Sequence, residues 1–297
     1  MIAVMAALRP DILVLQGVDH DAGLTTARAL QSALADAGLV LDHAFARPPN
    51  TGVPTGLDMD GDGRTGRARD AQGYGLFRGQ GGMLILSRFA FDDDAAQDHS
   101  ALLWRDLPGA RLPVLEGQPF PSQAAQEVQR LSTTAHWAVP VDTSGGRLWL
   151  LSFHATPPVF DGPEDRNGLR NADEIRFWQV YLDGALGPAP GAGFVVLGDA
   201  NLDPDRSSGR RAAIRALLAD PRLTPLTPQG AWGAATVDWS GIGLGAMRVS
   251  YLLPSPDLTV TDSGVFWPDD DDPLADTVAS ASRHRAVWAD IRVATPD

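Results

Sequence analysis

Short apolar runs bounded by glycine, proline or acidic residues recur along the chain, and each reads as a buried strand. Asp11-Ile12-Leu13-Val14-Leu15-Gln16 ends at Gly17, residues 83–88 follow a long loop, and residues 131–141 and 147–153 pair through the turn at 142–146. Val195-Val196-Leu197 stops at Gly198, and residues 248–253, 259–266 and 286–293 complete the set. Helical spacing appears at 24–38, where Leu24, Ala27, Leu30, Leu34 and Ala37 make one stripe and Gly38 ends it. Further helices are expected near 122–130, from about 172 to 186, and near 209–219. Polar loops rich in glycine, proline and aspartate fill 46–82, 154–171, 229–246 and 269–272.

Many strands, few helices and long loops, with no internal repeat or linker, predict a single α/β (α+β) domain over 1–297, two packed sheets flanked by helices. Residues 1–9 read as the last turns of a helix stopped by Pro10. An α/β domain rarely begins on a partial helix, so a strand ahead of Met1 is expected to be missing, through a late start or real loss.

Composition narrows this picture. A hydrophobic content of 44% with 21% charged residues is ample for a core. The net charge of −13 argues against a general grip on nucleic-acid backbones, although a metal-neutralised site lets an acidic protein hydrolyse phosphate esters. The absence of cysteine excludes disulfides and thiolate chemistry. No apolar run approaches the ~20 residues of a membrane span, and no membrane partner is expected. The opening residues lack a basic n-region and a cleavage site, so no signal peptide is expected and the compartment stays open, export requiring a longer N-terminus.

Chemistry concentrates after the Val195 run. Strand side chains alternate, so Asp199 and Asn201 point the same way at its carboxyl end, a carboxylate and an amide able to hold a metal-bound phosphate or orient a water. The plainer reading is an Asx-rich turn. Three more strand ends carry functional groups: Gln16-Gly17, Phe153-His154 and Ser282-Arg283-His284.

With Gly82-Met83-Leu84-Ile85-Leu86-Ser87-Arg88 and His154-Ala155-Thr156-Pro157-Pro158, these flanks resemble the endonuclease/exonuclease/phosphatase (DNase I-like) superfamily, in a bacterial branch. The resemblance implies a four-layer α-β-β-α sandwich of two mixed sheets, here lacking the first strand. It also implies Mg²⁺- or Mn²⁺-assisted hydrolysis of a phosphate mono- or diester. On that resemblance His154 contacts phosphate, Asp199 and Asn201 position water and metal, and His284 is base or transition-state stabiliser.

The sequence departs from the family at three positions: Gly17 replaces a metal-binding Glu, Arg283 a supporting Asp, and Ser250 the Asp that orients the histidine. Glycine offers Mg²⁺ no ligand, Arg283 repels a cation, and His284 is expected to lack a carboxylate partner. Asp19 shares the face of Gly17 but lies about 6–7 Å further along the strand. The reading is therefore a phosphoesterase fold with a depleted metal site and weak or lost activity. The alternative is a non-catalytic scaffold that binds an anionic small molecule. The oligomeric state stays open.

Two loops add candidates. Asp58-Met59-Asp60-Gly61-Asp62-Gly63-Arg64 has the spacing of a Ca²⁺ loop, though its twelfth position is Arg69, with Asp70 one residue late; a solvated acidic turn is the alternative. Arg166, Asn167, Arg170 and Asn171, on a loop after His154, suit a phosphate-ester or other anionic substrate. The alternative there is an internally bridged loop with Asn171 capping the next helix and Glu174 at its third position. His136 reads as a satisfied sheet residue.

Overall fold

The computed structural model describes residues 1–293. Helix α1 (Ile2–Leu8) leads into β1 (Ile12–Val18), followed by α2 (Thr25–Asp36), β2 (His43–Phe45) and β3 (Gly82–Ser87). Short β4 (Gln97–Asp98), the hairpin β5 (Val114–Leu115) and β6 (Gln118–Pro119), and α3 (Gln123–Val128) precede the long hairpin β7 (His136–Thr143) and β8 (Gly146–His154). Then come α4 (Arg166–Leu182), β9 (Phe194–Asp199), α5 (Ala212–Leu218), β10 (Val237–Trp239), β11 (Gly245–Met247), β12 (Ser250–Pro254), β13 (Thr259–Phe266), α6 (Ala275–Ala281) and β14 (Ala286–Arg292).

Strand periodicity builds four layers. The central sheet runs β12-β9-β8-β7-β4, with β8 and β9 parallel and the other pairs antiparallel. On β8, Leu148 and Leu150 face inward against Met83, Ile85 and Phe45 of the opposing sheet β1-β3-β2. The alternate residues Leu151 and Phe153 face outward onto Ile175, Phe177 and Trp178 of α4. The same alternation on β3 turns Leu84 and Leu86 outward onto Ala27 and Leu34 of α2. The strand pairs of the opposing layer are antiparallel, so among the named strands parallel pairing is that of β8 with β9.

The opposing layer is also split. Strand β1 bonds only to β3 and β14 only to β13. Yet Ile12 and Val14 of β1 and Ile291 of β14 pack on the same inter-sheet cluster. Among the described residues both strands therefore present a free edge, and every apolar residue of β1 is only half-buried.

His136 on β7 sits fully buried under α4, its ring within hydrogen-bonding distance of the Ser132 hydroxyl (2.7 Å) and the Glu174 carbonyl (2.9 Å). Burial pushes this imidazole down from 6.5 to about 3. Below pH 6.5 the unfolded chain takes up a proton that the folded chain refuses until about pH 3. Stability should fall across that window by as much as about 4–5 kcal/mol, at roughly 1.4 kcal/mol per unit. Urea denaturation should show a shallower acid limb in His136→Gln than in the wild type.

Candidate active site

The site forms where the carboxyl ends of β8 and β9 meet the amino end of β12. Register places His154 opposite Asp199 and Ser250 opposite Asp199, so the three lie in one row across adjacent strands. His154 shares the inward parity of Leu148 and Leu150, and Asp199 that of Val195 and Leu197. Gly198 makes the close approach feasible. A Cβ there would lie 2.0 Å from the Phe153 carbonyl oxygen, and its φ of +151° suits glycine. That same carbonyl accepts a hydrogen bond from Gln16 Nε2 at 2.9 Å, tying β1 of the opposing sheet to the site.

Beyond β9 the chain turns through Asn201, at φ +49°, a conformation asparagine tolerates. Asn201 N–H donates to Asp199 Oδ1 at 2.8 Å, and its side-chain amide donates to the Ala155 carbonyl at 2.9 Å. His284 approaches from the strand end before β14, with its Nδ1 3.3 Å from Asp199 Oδ2 and the Trp239 ring beside it at 6.1 Å. The Asp199 side chain is 4% exposed and that of His284 38%, so the site opens past His284. His154 Nδ1 is buried with no partner. Burial pushes the His154 imidazole down, with Asp199 opposing the shift and His284 reinforcing it. His154, Asp199, Asn201 and His284 thus converge, and His284 has a carboxylate partner after all, Asp199 itself. Among the described residues the Ser250 hydroxyl makes no hydrogen bond; its backbone N–H donates to Thr236 Oγ1.

The donor set does not fit Mg²⁺ or Mn²⁺. Gly17 sits in a β-bulge at φ +73° and offers no side chain. Asp19 turns away and accepts the Gly81 N–H at 2.8 Å. Of the Asp199 oxygens, one accepts the Asn201 N–H and the other faces His284. Among the described residues no acidic or imidazole trio that includes Asp199 brings its ligand atoms within 4.8 Å of one another, and Asp199 is the one carboxylate among the converging groups, against the several oxygen ligands such ions require.

The acidic loop groups differently from its spacing. Asp58, Asp60 and Asp70 bring one carboxylate oxygen each within 4.8 Å of one another. Asp62 instead pairs with Arg67 at 3.2 Å. Asp70 is buried and accepts the N–H groups of Met59 and Arg67, so its place one residue late matters less than its fold-back. Burial pushes the Asp60 carboxyl up, and the neighbouring carboxylates add to the effect.

The expected substrate loop is a helix and a wall. Helix α4 starts at Arg166, and Asp161 accepts the N–H groups of Asn167 and Gly168 at its first turn, so Asn171 caps nothing. Arg170 is 3% exposed and donates to the carbonyls of Leu131, Gln72, Arg130 and Ser132. Burial pushes its guanidinium down to about 10. Asn171 donates to Thr156 and Ala200, both at 2.7 Å, clamping the segments that follow His154 and Asp199. Asn167 donates to the Val159 carbonyl and Arg166 to Gln129 Oε1. Glu174 accepts the N–H groups of Thr133 and Thr156, and burial pushes its carboxyl up to about 7. Arg170, Asn171 and Glu174 hold the site's walls rather than a ligand. Their i, i+1, i+4 spacing is a buried helix face, legible only if polar residues are allowed inside.

A model of the endonuclease/exonuclease/phosphatase family matches residues 1–284. The chain belongs to that family. No curated protein matches the sequence. Among solved structures, an endonuclease/exonuclease/phosphatase of Beutenbergia cavernae superposes with a TM-score of 0.61 at 18% identity, over 99% of this chain and 65% of that protein. A family protein of Leptotrichia buccalis gives 0.56 at 15% identity, over 98% of this chain and 90% of the other. The 3'-5' exonuclease NExo of Neisseria meningitidis gives 0.54 at 19%, over 97% and 91%. At these identities the likeness is one of fold. The chain spans less than two thirds of the Beutenbergia protein.

Two substitutions test the construction. Gly198→Ala should cost about 3 kcal/mol or more, because β8 and β9 must separate. Arg170→Met leaves four carbonyls without their donor and should cost about 3–5 kcal/mol in chemical denaturation.

Proposed function

We propose that this protein hydrolyses a phosphate ester with water activated by the Asp199–His284 pair, in a centre whose metal-binding carboxylates are depleted. The 3.3 Å contact between Asp199 Oδ2 and His284 Nδ1 carries this reading. A carboxylate at Nδ1 places the ring hydrogen there and leaves Nε2 as the proton acceptor. The buried, unpartnered Nδ1 of His154 favours hydrogen on Nε2, from which a neutral imidazole donates to a phosphate oxygen. Asn201 commits its NH₂ to Ala155 and keeps its amide oxygen for the attacking water.

Water gives its proton to His284 Nε2 as its oxygen bonds to phosphorus. The ester P–O bond breaks, and the proton passes from His284 to the departing alcohol. Atoms and charge balance as ester plus water giving alcohol plus phosphate. Family members that carry a full carboxylate set hold a divalent ion to polarise the phosphate; the chemistry here rests on the chain's own groups and is correspondingly slower. Recognition of an anionic ligand by Arg166, Asn167, Arg170 and Asn171 gains no support, since the protein's own groups occupy them.

Turnover of bis(p-nitrophenyl) phosphate by chelator-treated protein is the test. Asp199→Asn and His284→Ala should each lower kcat by about 10²–10⁴-fold. Turnover that requires added Mg²⁺ would sink the depleted centre, and turnover indifferent to His284→Ala would sink the pair.

A further inference from the structure

Strand directions put a particular set of loops at the end of the sandwich where His154 and Asp199 emerge. Strand β3 runs antiparallel to β1, so the loop before Gly82 lies at this end. The loop after His154 lies there because β8 runs parallel to β9. The turn at 240–245 precedes β12, whose first residue, Ser250, is paired with Asp199. Trp267 follows β13, whose last residue, Phe266, is paired with Ala286, two positions after His284.

Those loops hold Tyr74, Leu76 and Phe77, then Phe160, then Ile242 and Leu244, with Trp232 stacked on Trp267 at 5.6 Å. Each of the seven is exposed, from 51% at Leu244 to 78% at Leu76. They are most of the exposed large apolar residues among those described. Isolated exposed apolar residues are ordinary, but seven on the loops around one polar centre are a surface.

Hydrogen bonds and close backbone contacts tie down the loops that carry these side chains. His20 N–H donates to the Gly79 carbonyl, Leu76 N–H to Gln80 Oε1, and the Thr51 hydroxyl bonds the Gln80 carbonyl. Gly52 lies against the Phe77 carbonyl so closely that a Cβ there would clash. Phe160 sits at φ +70° and is 75% exposed, and Arg285 stacks on Trp267 at 4.5 Å.

We infer that this end of the sandwich seats on a zwitterionic lipid surface, with the phosphoester of a lipid headgroup as the group presented to His154 and His284. The inference rests on the phosphoester reading of the site. The occupant must offer apolar material around a phosphoester. A phospholipid surface does so by composition, with tryptophan and tyrosine suited to its boundary. A nucleic acid surrounds each phosphate with further charge, which a chain of net charge −13 repels. Anionic lipid is disfavoured for the same reason. Among the described residues no helix is long and apolar enough to cross a membrane, and this surface is scattered over several loops.

Flotation with phosphatidylcholine vesicles tests the inference. Wild-type protein should float with the vesicles. Leu76→Asp combined with Phe160→Asp should lower the bound fraction at least about tenfold. Val40→Asp should leave it unchanged, because Val40 is equally exposed but lies between α2 and β2, at the opposite end. Circular dichroism melts check that the variants fold. Wild-type protein left in the soluble fraction, or equal losses with Val40→Asp, would overturn the docking surface. Rates on dihexanoyl-phosphatidylcholine should rise above its micelle concentration. Flotation without hydrolysis of any ester would overturn the phosphoester reading of the site and leave the surface standing. Hydrolysis of bis(p-nitrophenyl) phosphate with none of the lipid would overturn the lipid headgroup as substrate.

Discussion

The close approach of β8 to β9, at the Phe153 carbonyl and Gly198, is the constraint on which the site depends. The two strands run parallel with no side chain between them at that point. His154 and Asp199 therefore leave the sheet as direct neighbours, and the loops after them start one hydrogen bond apart, Ala155 N–H to Asp199 carbonyl. The Phe153 oxygen also receives Gln16, so one backbone atom aligns two strands of one sheet and anchors a third from the other. Removing the space at Gly198 would shift every group that faces the opening.

Behind that junction stands a second organising device, the polar face of α4. Helices in sandwiches normally bury apolar stripes, and α4 does bury Ile175, Phe177 and Trp178. Its first turns differ: Arg170, Asn171 and Glu174 reach carbonyls and N–H groups of the loops preceding β7 and following β8 and β9. Irregular backbone cannot satisfy itself, and a buried side-chain network is the means by which long loops keep one shape. The site's walls are thus set by a helix that contributes nothing to the reacting atoms.

Much of the fold was legible because strand and helix periods are strong signals: the runs at 11–16, 83–88 and 195–197 became β1, β3 and β9. The positions of His154, Asp199, Asn201 and His284 followed from their places at strand ends. What the sequence hid has a common cause. The start of α4 at Arg166 was obscured because its buried face is polar, and hydrophobic patterning sees only apolar burial. The link between Asp199 and His284 was obscured because it joins segments that only the fold brings together. The grouping of Asp70 with Asp58 and Asp60, in place of Asp62, likewise depends on a loop closing on itself. Residues 294–297, the end of the expected chain, lie outside the described structure.

The split opposing layer bears on how the molecule opens. Strand β8 has hydrogen-bonded neighbours on both sides, whereas β1 and β14 each have one. Parting β1-β3-β2 from the central sheet breaks side-chain contacts and few backbone hydrogen bonds. Strand β1, bonded on one side and half-buried throughout, has the features of low local stability. Gln16 belongs to it, and the bond from Gln16 to Phe153 is where such opening first reaches the site. Amide exchange along β1 and the accessibility of His154 are then two reports of one fluctuation, and anything that occupies the free edges would quiet both.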